Sequence, residues 1–351
     1  MKIAIAMSGG VDSSVTAALL KNEGHEVFGL TMLVVPSDEA TNSRVPTVAR
    51  QVAQVLGIPH HVIDLRDIFT ERIITEFCKQ YSLGRTPNPC VQCNRFIKFG
   101  VLYEKARELG ADALATGHYS RLERHESDGR YLLKKGIDRR RDQSYFLYAL
   151  TQEQLSRTLF PLGTLTKVRV KEIAAEMKLP VASSESREIC FIPDNDYVRF
   201  LQRHVTSGVT PGVIKDMQGN VLGEHRGIIN YTIGQRKRLG IAAAKPLYVV
   251  AIDSQSNTVV VGERQHIYNN ECLVSGLNWI AIRELSKHLS VRVKIRYLHT
   301  EAEAVVMPET ADSVRVKFKE PQMAITPGQS AVFYDGGVVL GGGTIEKVRH
   351  S

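Results

Sequence analysis

The sequence lacks any apolar stretch long enough to span a membrane. Of its 351 residues 43% are hydrophobic, which is an ordinary share for a globular protein, but no apolar run approaches the roughly 20 residues that a transmembrane helix needs. The chain enters an apolar strand at once, so a secretory leader is not expected. These features predict a cytoplasmic protein with no membrane partner.

Cysteines are few as well, with five in the whole chain. That number argues against a disulfide framework and predicts thiols that are free, catalytic or metal-binding in a reducing compartment. Cys78 lies at apolar spacing on a predicted helix and Cys272 enters a β segment, so both are predicted to be packing residues.

Cys90 and Cys93 form a C-x2-C pair for which three interpretations are open. A structural zinc site needs four ligands, usually from two such pairs, and the sequence has only one. A redox dithiol usually lies at a helix N-terminus, whereas Pro87 and Pro89 predict an ordered loop here. The third interpretation joins the pair to Cys190.

The turn at residues 8–14, Ser-Gly-Gly-Val-Asp-Ser-Ser, lacks the lysine of a Walker A loop and the third glycine of a dinucleotide fingerprint. It follows an apolar run at residues 3–7 that predicts a buried strand, and it precedes apolar residues at helical spacing. A glycine-rich turn at a helix start presents free N–H groups to an anion. The sequence therefore predicts a phosphate site.

Strands and helices alternate up to about residue 203. Strands are predicted at 26–32, 61–64 and 111–116, helices at 48–56, 68–81, 98–109 and 170–177, and polar loops at 35–45, 84–94 and 183–187. This alternation predicts a parallel sheet with ligands at the carboxyl ends of its strands. Short alternating segments with frequent glycine then predict mainly β structure. We expect domains at 1–203, 204–268 and 269–351.

The formal charge of +8 is concentrated in places. Residues 121–141 contain eight arginines and lysines against four acids, and Arg236, Lys237 and Arg238 form a second group. Such clusters are often only solvated faces, but they are also typical of proteins that bind nucleic acid.

Seven motifs occur in a fixed order: the residue 8–14 loop, Gly-Arg-Thr-Pro-Asn-Pro-Cys-Val-Gln-Cys-Asn-Arg-Phe-Ile-Lys-Phe, Ala-Thr-Gly-His-Tyr, Asp-Gln-Ser-Tyr-Phe-Leu, Ile-Cys-Phe-Ile, Gly-Gln-Arg-Lys-x-Leu-Gly-Ile and Thr-Pro-Gly-Gln-Ser-Ala-Val-Phe-Tyr. Nearly end to end, the chain resembles the bacterial tRNA-specific 2-thiouridylase family of PP-loop ATP pyrophosphatases. The resemblance implies an α/β fold: a parallel-sheet PP-loop domain, adenine nucleotide α-hydrolase-like, followed by two smaller, mainly β domains.

The resemblance also implies ATP-dependent replacement of the C2 oxygen of the wobble uridine by sulfur, in tRNAs of the lysine, glutamate and glutamine type. The uracil O2 would attack the α phosphate, pyrophosphate would leave, and AMP would leave on sulfur transfer. Mg²⁺ is expected with the phosphates. ATP would lie on Ala6, Met7, Ser8, Gly9, Gly10, Val11, Asp12 and Ser13, with Met32 and Gly117 on the adenine side.

By the same resemblance, Cys190 corresponds to the cysteine that receives a persulfide from a donor protein, a cysteine desulfurase or a sulfur-relay protein. Cys93 corresponds to the nucleophile that releases this sulfur by forming a Cys93–Cys190 disulfide, and nearby basic groups would favour the thiolates. Position 90 varies between aspartate and cysteine in the family. Cys90, Cys93 and Cys190 could instead hold a [4Fe–4S] cluster, because such clusters take cysteine ligands.

The resemblance places further residues on the tRNA anticodon arm: Asn88, Pro89, Cys90, His118, Arg141, Asp142, Gln143, Arg296, Tyr297 and Gln329. On local grounds alone, His118 could cap a strand and Arg296 could be one exposed residue of an alternating strand. Two departures stand out, a short loop with few acids at 33–47 and Arg238 where the family motif commonly has glycine. Two other functions stay open, a PP-loop amide-forming ligase and a non-enzymatic tRNA-binding protein.

Overall fold

A computed structural model of the chain describes residues 1–35, 41–181, 189–192, 194–205 and 207–349, with the backbone alone at 41–44. The predicted loop at 183–187 lies outside these residues. The helices are α1 Val11–Asn22, α2 Thr41–Leu56, α3 Arg66–Phe69, α4 Thr75–Ser82, α5 Pro89–Gln92, α6 Tyr103–Glu108, α7 Gln152–Ser156, α8 Lys167–Glu176 and α9 Tyr197–His204, with π-helical turns at Thr70–Ile74 and Cys93–Leu102 and 3-10 turns at Ser144–Phe146, Pro161–Thr164, Ile228–Asn230 and Arg264–Ile267.

The strands are β1 Lys2–Ala6, β2 Glu26–Leu33, β3 His60–Asp64, β4 Ala113–Ala115, β5 Ser120–Arg124, β6 Tyr131–Lys135, β7 Thr158–Leu159, β8 Gly212–Lys215, β9 Val221–His225, β10 Tyr248–Asp253, β11 Thr258–Gly262, β12 Tyr268–Trp279, β13 Leu289–Lys294, β14 Ala302–Thr310, β15 Ser313–Met323, β16 Ser330–Asp335 and β17 Val338–Arg349. The chain divides into two compact units. The first comprises residues 1–73, 90–195 and 337–340, and the second comprises residues 74–89, 196–336 and 341–351.

A parallel five-stranded sheet forms the centre of the first unit, in the order β3-β2-β1-β4-β7. β1 lies in the middle, and its Ile3 and Ile5 are fully buried, which explains its continuous apolar sequence. Because the strands are parallel, the chain leaves β1, β2 and β4 at the same edge. The predicted parallel sheet is confirmed. The segment that follows β1, at residues 7–14, starts at the carboxyl edge of this sheet.

Helices α1 and α8 pack together in the core of the first unit. Val15 and Ala18 of α1 lie in one apolar cluster with Val170 and Ile173 of α8. This packing places the beginning of α8 near the beginning of α1, although 155 residues separate Asp12 from Lys167.

The predicted loop at 35–45 is wrong from residue 41 onward, because α2 already begins at Thr41. Pro46 lies inside this helix, where its ring removes one backbone N–H donor. The buried stripe Ala49, Val52, Ala53 and Leu56 packs the helix into the core and outweighs that local preference.

The predicted loop at 84–94 is wrong over its last residues. Helix α5 begins at Pro89, and the π-helical segment begins at Cys93, so both cysteines of the pair are helical. Proline is favoured at the first helical position, where no N–H bond is required of it. The sequence analysis interpreted Pro89 as evidence for a loop, but in the structure Pro89 is the first residue of a helix.

The second unit is mainly β, as predicted. One sheet has the order β10-β11-β8-β9, and six strands in the order β12-β15-β14-β13-β16-β17 close into a barrel because β17 pairs back with β12. Val274, Val316 and Phe333 are fully buried. Residues 74–89 belong to this unit: Thr86 N donates to the carbonyl of Pro327 at 2.9 Å.

Among the described residues, no helix is both long and apolar enough to cross a bilayer. Cys78 and Cys272 are both buried, which confirms the prediction that they pack inside the protein.

Candidate nucleotide and sulfur site

The phosphate loop, residues 8–14, is shaped by its own small side chains. Ser8 N donates to Ser13 Oγ at 3.2 Å, and the hydroxyls of Ser13 and Ser14 donate to the carbonyl of Gly10 at 3.1 and 2.9 Å. Gly10 is the N-cap of α1 and supplies no side-chain acceptor. The first amides of a helix have no acceptor within the helix, so those that follow Gly10 are available to an anion.

Two glycines allow the chain to pass closely around this loop. Gly9 has φ +72°, and a Cβ there would lie 3.0 Å from Val48 Cβ. A Cβ on Gly117, which follows β4, would lie 2.9 Å from the carbonyl carbon and the Cβ of Asp12. Gly117 therefore packs directly against the phosphate loop. Met32 lies half-buried near the end of the neighbouring strand β2.

Asp12 is held by two residues that the sequence analysis did not single out. Tyr119 Oη donates to Asp12 Oδ1 at 2.7 Å, and Lys167 Nζ lies 2.7 Å from both carboxylate oxygens of Asp12. Burial and the bond to Asp12 raise the pKa of Tyr119, so its hydroxyl stays protonated and remains a donor. Tyr119 could have been found in the Gly-His-Tyr motif, but Lys167 lies far away in sequence.

The three cysteines of the predicted sulfur site all lie in the first unit. Cys93 is buried, Cys90 is half-buried and Cys190 is exposed. The pKa of Cys90 is raised to about 11 and that of Cys93 to about 12, mainly by burial and to a smaller extent by the nearby Cys190. Because Cys190 affects the pKa of both Cys90 and Cys93, the three thiols lie within electrostatic range of one another, and we call them the sulfur cluster.

Lys98 is the basic group that acts on this cluster. Although Cys190 is exposed as a residue, neighbouring protein atoms partly desolvate its thiol and raise the pKa of that thiol, whereas Lys98 lowers it, as it does for Cys90 and Cys93. Lys98 follows Cys93 by five residues in the π-helical segment, whose hydrogen bonds join residues five apart. Burial outweighs Lys98, so the thiols are mainly protonated at neutral pH until a further charge or the substrate changes their surroundings.

The residues do not offer a ready metal site. Within the part of the chain that the structure describes, no three His, Cys, Asp or Glu side chains are grouped to hold a metal ion. Cys90, Cys93 and Cys190 as placed therefore do not fit an iron–sulfur cluster. Asp12 already accepts hydrogen bonds from Lys167 and Tyr119, so it is not a free ligand for Mg²⁺ either.

Several predicted tRNA contacts of the first unit have partners inside the protein. His118 is 8% exposed and shares a 2.7 Å hydrogen bond with Thr116 Oγ1, and burial and Lys98 hold its pKa well below its usual value. Asp142 is buried and accepts from Gly136 N and from Ser144. Gln143 Oε1 accepts from Tyr119 N at 3.1 Å.

Arg141 is exposed, and so are the two arginines before it, Arg139 and Arg140. Together with Arg124, this short run of arginines is an exposed basic part of the stretch at 121–141 that a polyanion could reach.

The second unit contains the other predicted tRNA contacts. Gln329 Nε2 donates to the carbonyls of Thr86 and Pro87 at 2.9 and 3.3 Å, within the segment that leads to Asn88 and Pro89. Arg296 Nη1 donates to the carbonyl of Met323 at 3.0 Å, and Arg296 and Tyr297 are each half-buried.

Comparison with protein families covers almost the whole chain. Residues 1–194 match a family described as the tRNA methyl transferase HUP domain, residues 198–263 match the tRNA methyl transferase PRC-barrel domain, and residues 269–345 match the aminomethyltransferase beta-barrel domain. These matches agree with the parallel sheet and the β structure described above.

Comparison with individual relatives identifies the family more specifically. The tRNA-specific 2-thiouridylase MnmA 1 of Caldanaerobacter subterraneus subsp. tengcongensis is 53% identical, over 99% of this chain and 98% of the relative. The tRNA-specific 2-thiouridylase MnmA of Clostridioides difficile is 46% identical over 99% and 98%. Among solved structures, the U34-tRNA thiolase NcsA of Methanococcus maripaludis with its [4Fe-4S] cluster is 19% identical, with a TM-score of 0.36 over 58% of this chain and 72% of that one, a similarity too low to support an argument. The high identity over the full length of the curated relatives shows that the chain belongs to the tRNA-specific 2-thiouridylase family.

Proposed function

We propose that this protein uses ATP to exchange the C2 oxygen of the wobble uridine of tRNA for sulfur. The observation that supports it best is the presence, in one compact unit of a family member, of both a phosphate loop and a cluster of three thiols. A PP-loop ligase would need the phosphate loop but not the three thiols. A non-enzymatic tRNA-binding protein would need neither. Lysine, glutamate and glutamine tRNAs are the proposed substrates.

In the first half-reaction the uracil O2 attacks the α phosphorus of ATP, and pyrophosphate leaves. The loop amides after Gly10 bind the phosphate oxygens, which carry the negative charge that grows as pyrophosphate departs. This step is needed because an oxide is a poor leaving group, whereas AMP is a good one. Mg²⁺ is proposed to enter with the ATP phosphates, where it would neutralise part of their negative charge.

In the second half-reaction Cys190 holds the incoming sulfur as a persulfide. Its terminal sulfur bonds to C2 of the uracil while the C2–O bond to AMP breaks. The Cys93 thiolate then attacks Cys190 Sγ, so the sulfur–sulfur bond breaks, 2-thiouridine leaves and a Cys93–Cys190 disulfide remains. A thiol reductant restores both cysteines.

The exposure of the two cysteines supports this assignment of roles. Cys190 is exposed and can meet a persulfide donor, a cysteine desulfurase or a sulfur-relay protein. Cys93 is buried, so a donor protein has no direct access to it. We propose that Cys90, which is half-buried, contacts the target base, and that Asn88 and Pro89 also serve the recognition of that base.

We further propose the division into domains 1–203, 204–268 and 269–351, with the last on the anticodon arm through Arg296, Tyr297 and Gln329. His118, Arg141, Asp142 and Gln143 are proposed to form the tRNA side of the first unit, with Arg141 in direct phosphate contact and the buried Asp142 shaping the surface. Ala6, Met7 and Val11, together with Met32 and Gly117, are proposed to enclose the adenosine. Because its proposed substrate is tRNA, we propose that the protein acts in the cytoplasm.

The test uses protein purified without oxygen, an unmodified tRNA of the glutamate type, ATP and a persulfide donor, with nucleoside mass spectrometry as the readout. We expect one AMP and one pyrophosphate per 2-thiouridine formed. Cys93→Ala and Cys190→Ala should each lower thiolation at least about 100-fold, because each removes a sulfur that bonds during the reaction. Cys78→Ala, which removes a buried thiol outside the cluster, is the control.

Iron and sulfide analysis of the same samples distinguishes the two sulfur routes. Iron near four per chain, lost in Cys90→Ala together with activity, would replace the persulfide route by a cluster on Cys90, Cys93 and Cys190. Full activity in Cys93→Ala, or tRNA binding without any ATP turnover, would contradict the proposed reaction itself.

A further inference from the structure

The phosphate loop at residues 8–14 contains no lysine or arginine, and its one charged side chain is the carboxylate of Asp12. A triphosphate is strongly anionic, so backbone amides beside a carboxylate leave much of that charge uncompensated. Walker A loops solve this problem with a lysine at the end of the loop. A cationic side chain for this site can therefore come only from outside the loop, whether or not Mg²⁺ accompanies the phosphates.

Lys167 lies where such a cation is needed. Its Nζ is 2.7 Å from each carboxylate oxygen of Asp12, and 5.8 Å from the centre of the Tyr119 ring. The Lys167 side chain is 14% exposed and that of Asp12 is 29% exposed, so the pair is sheltered yet open to a ligand. An ammonium group has three N–H donors, and Asp12 engages two of them.

The base of Lys167 is firmly held. Lys167 is the first residue of α8, which is capped by Thr166, and its backbone N donates to Asp138 Oδ2 at 3.0 Å. Val170 and Ile173 of the same helix are buried in the core with α1. The side chain thus projects from a fixed point and can change its partner without movement of the helix.

We propose that Lys167 binds the β and γ phosphates of ATP and remains on the pyrophosphate as it leaves. This inference rests on the proposed function and assigns a residue to the leaving group of that reaction. Asp12 neutralises the ammonium and keeps it beside the loop, and when the polyphosphate binds, its oxygens accept hydrogen bonds from Lys167. A purely structural alternative is that Lys167 only neutralises Asp12.

The test measures binding by isothermal titration calorimetry with two probes, inorganic pyrophosphate and AMP. Lys167→Met keeps the length of the side chain and removes its charge, and Lys167→Arg keeps the charge. Lys171→Met is the matched control, because Lys171 lies one turn further along α8 and is exposed. Urea unfolding of each variant reports whether the fold is intact.

We expect Lys167→Met to weaken pyrophosphate binding by about tenfold or more, because it removes a charge-assisted contact, while AMP affinity changes by less than about twofold. Lys167→Arg should recover most of the pyrophosphate affinity, and Lys171→Met should behave as wild type. Equal pyrophosphate affinity in Lys167→Met and wild type would overturn the inference, and so would equal losses for both probes. If wild type bound neither probe, the nucleotide site of the proposed function would fail with it.

Discussion

Lys98 acts on all three thiols of the sulfur cluster. It lowers the pKa of Cys90, Cys93 and Cys190 against a larger opposite effect of burial. Only the thiolate is nucleophilic, so the balance between burial and Lys98 sets how much reactive sulfur is present at a given pH. The exposed Cys190 is the thiol at which a reagent in solution can measure that balance.

We therefore predict that alkylation of Cys190 by iodoacetamide keeps accelerating through pH 9. While the pH is below the pKa, the thiolate fraction rises about tenfold per pH unit, and the folded pKa of Cys190 lies above its ordinary value. Lys98→Met removes the lowering effect, so it should slow alkylation at each pH. Peptide mass spectrometry gives the rate.

The control for this prediction is Lys105→Met, which removes an exposed lysine that bonds Glu108. It should leave the alkylation rate of Cys190 unchanged. A rate that levels off below pH 8 in wild type, or that is the same in Lys98→Met, would contradict the assigned balance.

Single residues divide into those that the sequence could indicate and those that it could not. The cysteines and the serines and glycines of the phosphate loop could be selected because short motifs place them side by side. Lys167 could not, because its relation to Asp12 exists only after α8 has packed on α1, across 155 residues. The sequence could not indicate that His118 and Asp142 are buried either, because both lie in polar motifs that resemble exposed loops.

At the scale of elements, the beginning of α1 and the end of β4 share one crowded space. Gly117 follows β4, and a Cβ there would lie 2.9 Å from Asp12 atoms and 3.0 Å from Ser13 N. We predict that Gly117→Ala displaces the first turn of α1 and weakens AMP binding by about tenfold, since the amides that face the phosphate move. Calorimetric titration with AMP measures the effect.

Gly337→Ala is the matched control, because a Cβ at Gly337 would have no neighbour within 4 Å. Its AMP affinity should equal that of wild type. If Gly117→Ala bound AMP as tightly as this control, the close approach of β4 to the phosphate loop would have no part in nucleotide binding.

The type of several elements could be predicted from sequence, but the helical segments next to prolines could not. The apolar run of β1 and the stripe of α8 each have one clear periodicity, and both were predicted. Loops were predicted at 35–45 and 84–94, yet Pro46 lies inside α2 and Pro89 begins α5. Local preference disfavours proline only where an N–H bond is lost, and packing of the apolar face decides the rest.

At the scale of the whole molecule, chain order and spatial units differ. Residues 74–89 precede the cysteine pair in sequence but belong to the second unit. Arg85 Nη1 donates to Glu346 Oε2 at 2.7 Å, and Ser275 Oγ donates to Glu346 Oε1 at 2.8 Å. The sequence could not indicate this contact, because periodicity carries no information on contacts between residues 261 positions apart.

The stability that this long-range contact contributes depends on pH, because Glu346 can be protonated. Burial raises the pKa of Glu346, but the bonds from Arg85 and Ser275 and the charge of Arg85 lower it by more, so its folded pKa lies below the unfolded value of about 4.3. The ionised carboxylate therefore stabilises the fold above about pH 4.3, and this contribution is lost as the pH falls through the folded pKa.

We predict that Glu346→Gln lowers the free energy of unfolding by about 1 kcal/mol at pH 7, because a partly buried charged hydrogen-bond network is broken. As the pH falls through the folded pKa of Glu346, wild type approaches the variant, since its own Glu346 becomes protonated. Urea unfolding at pH 7 and at successively lower pH values measures the difference. The matched control is Glu263→Gln, whose partner Lys245 is exposed, and it should change stability by less than about 0.5 kcal/mol. A Glu346→Gln deficit that did not shrink at any acidic pH at which the protein is still folded would mean that packing, and not the ionised carboxylate, joins residues 74–89 to the barrel.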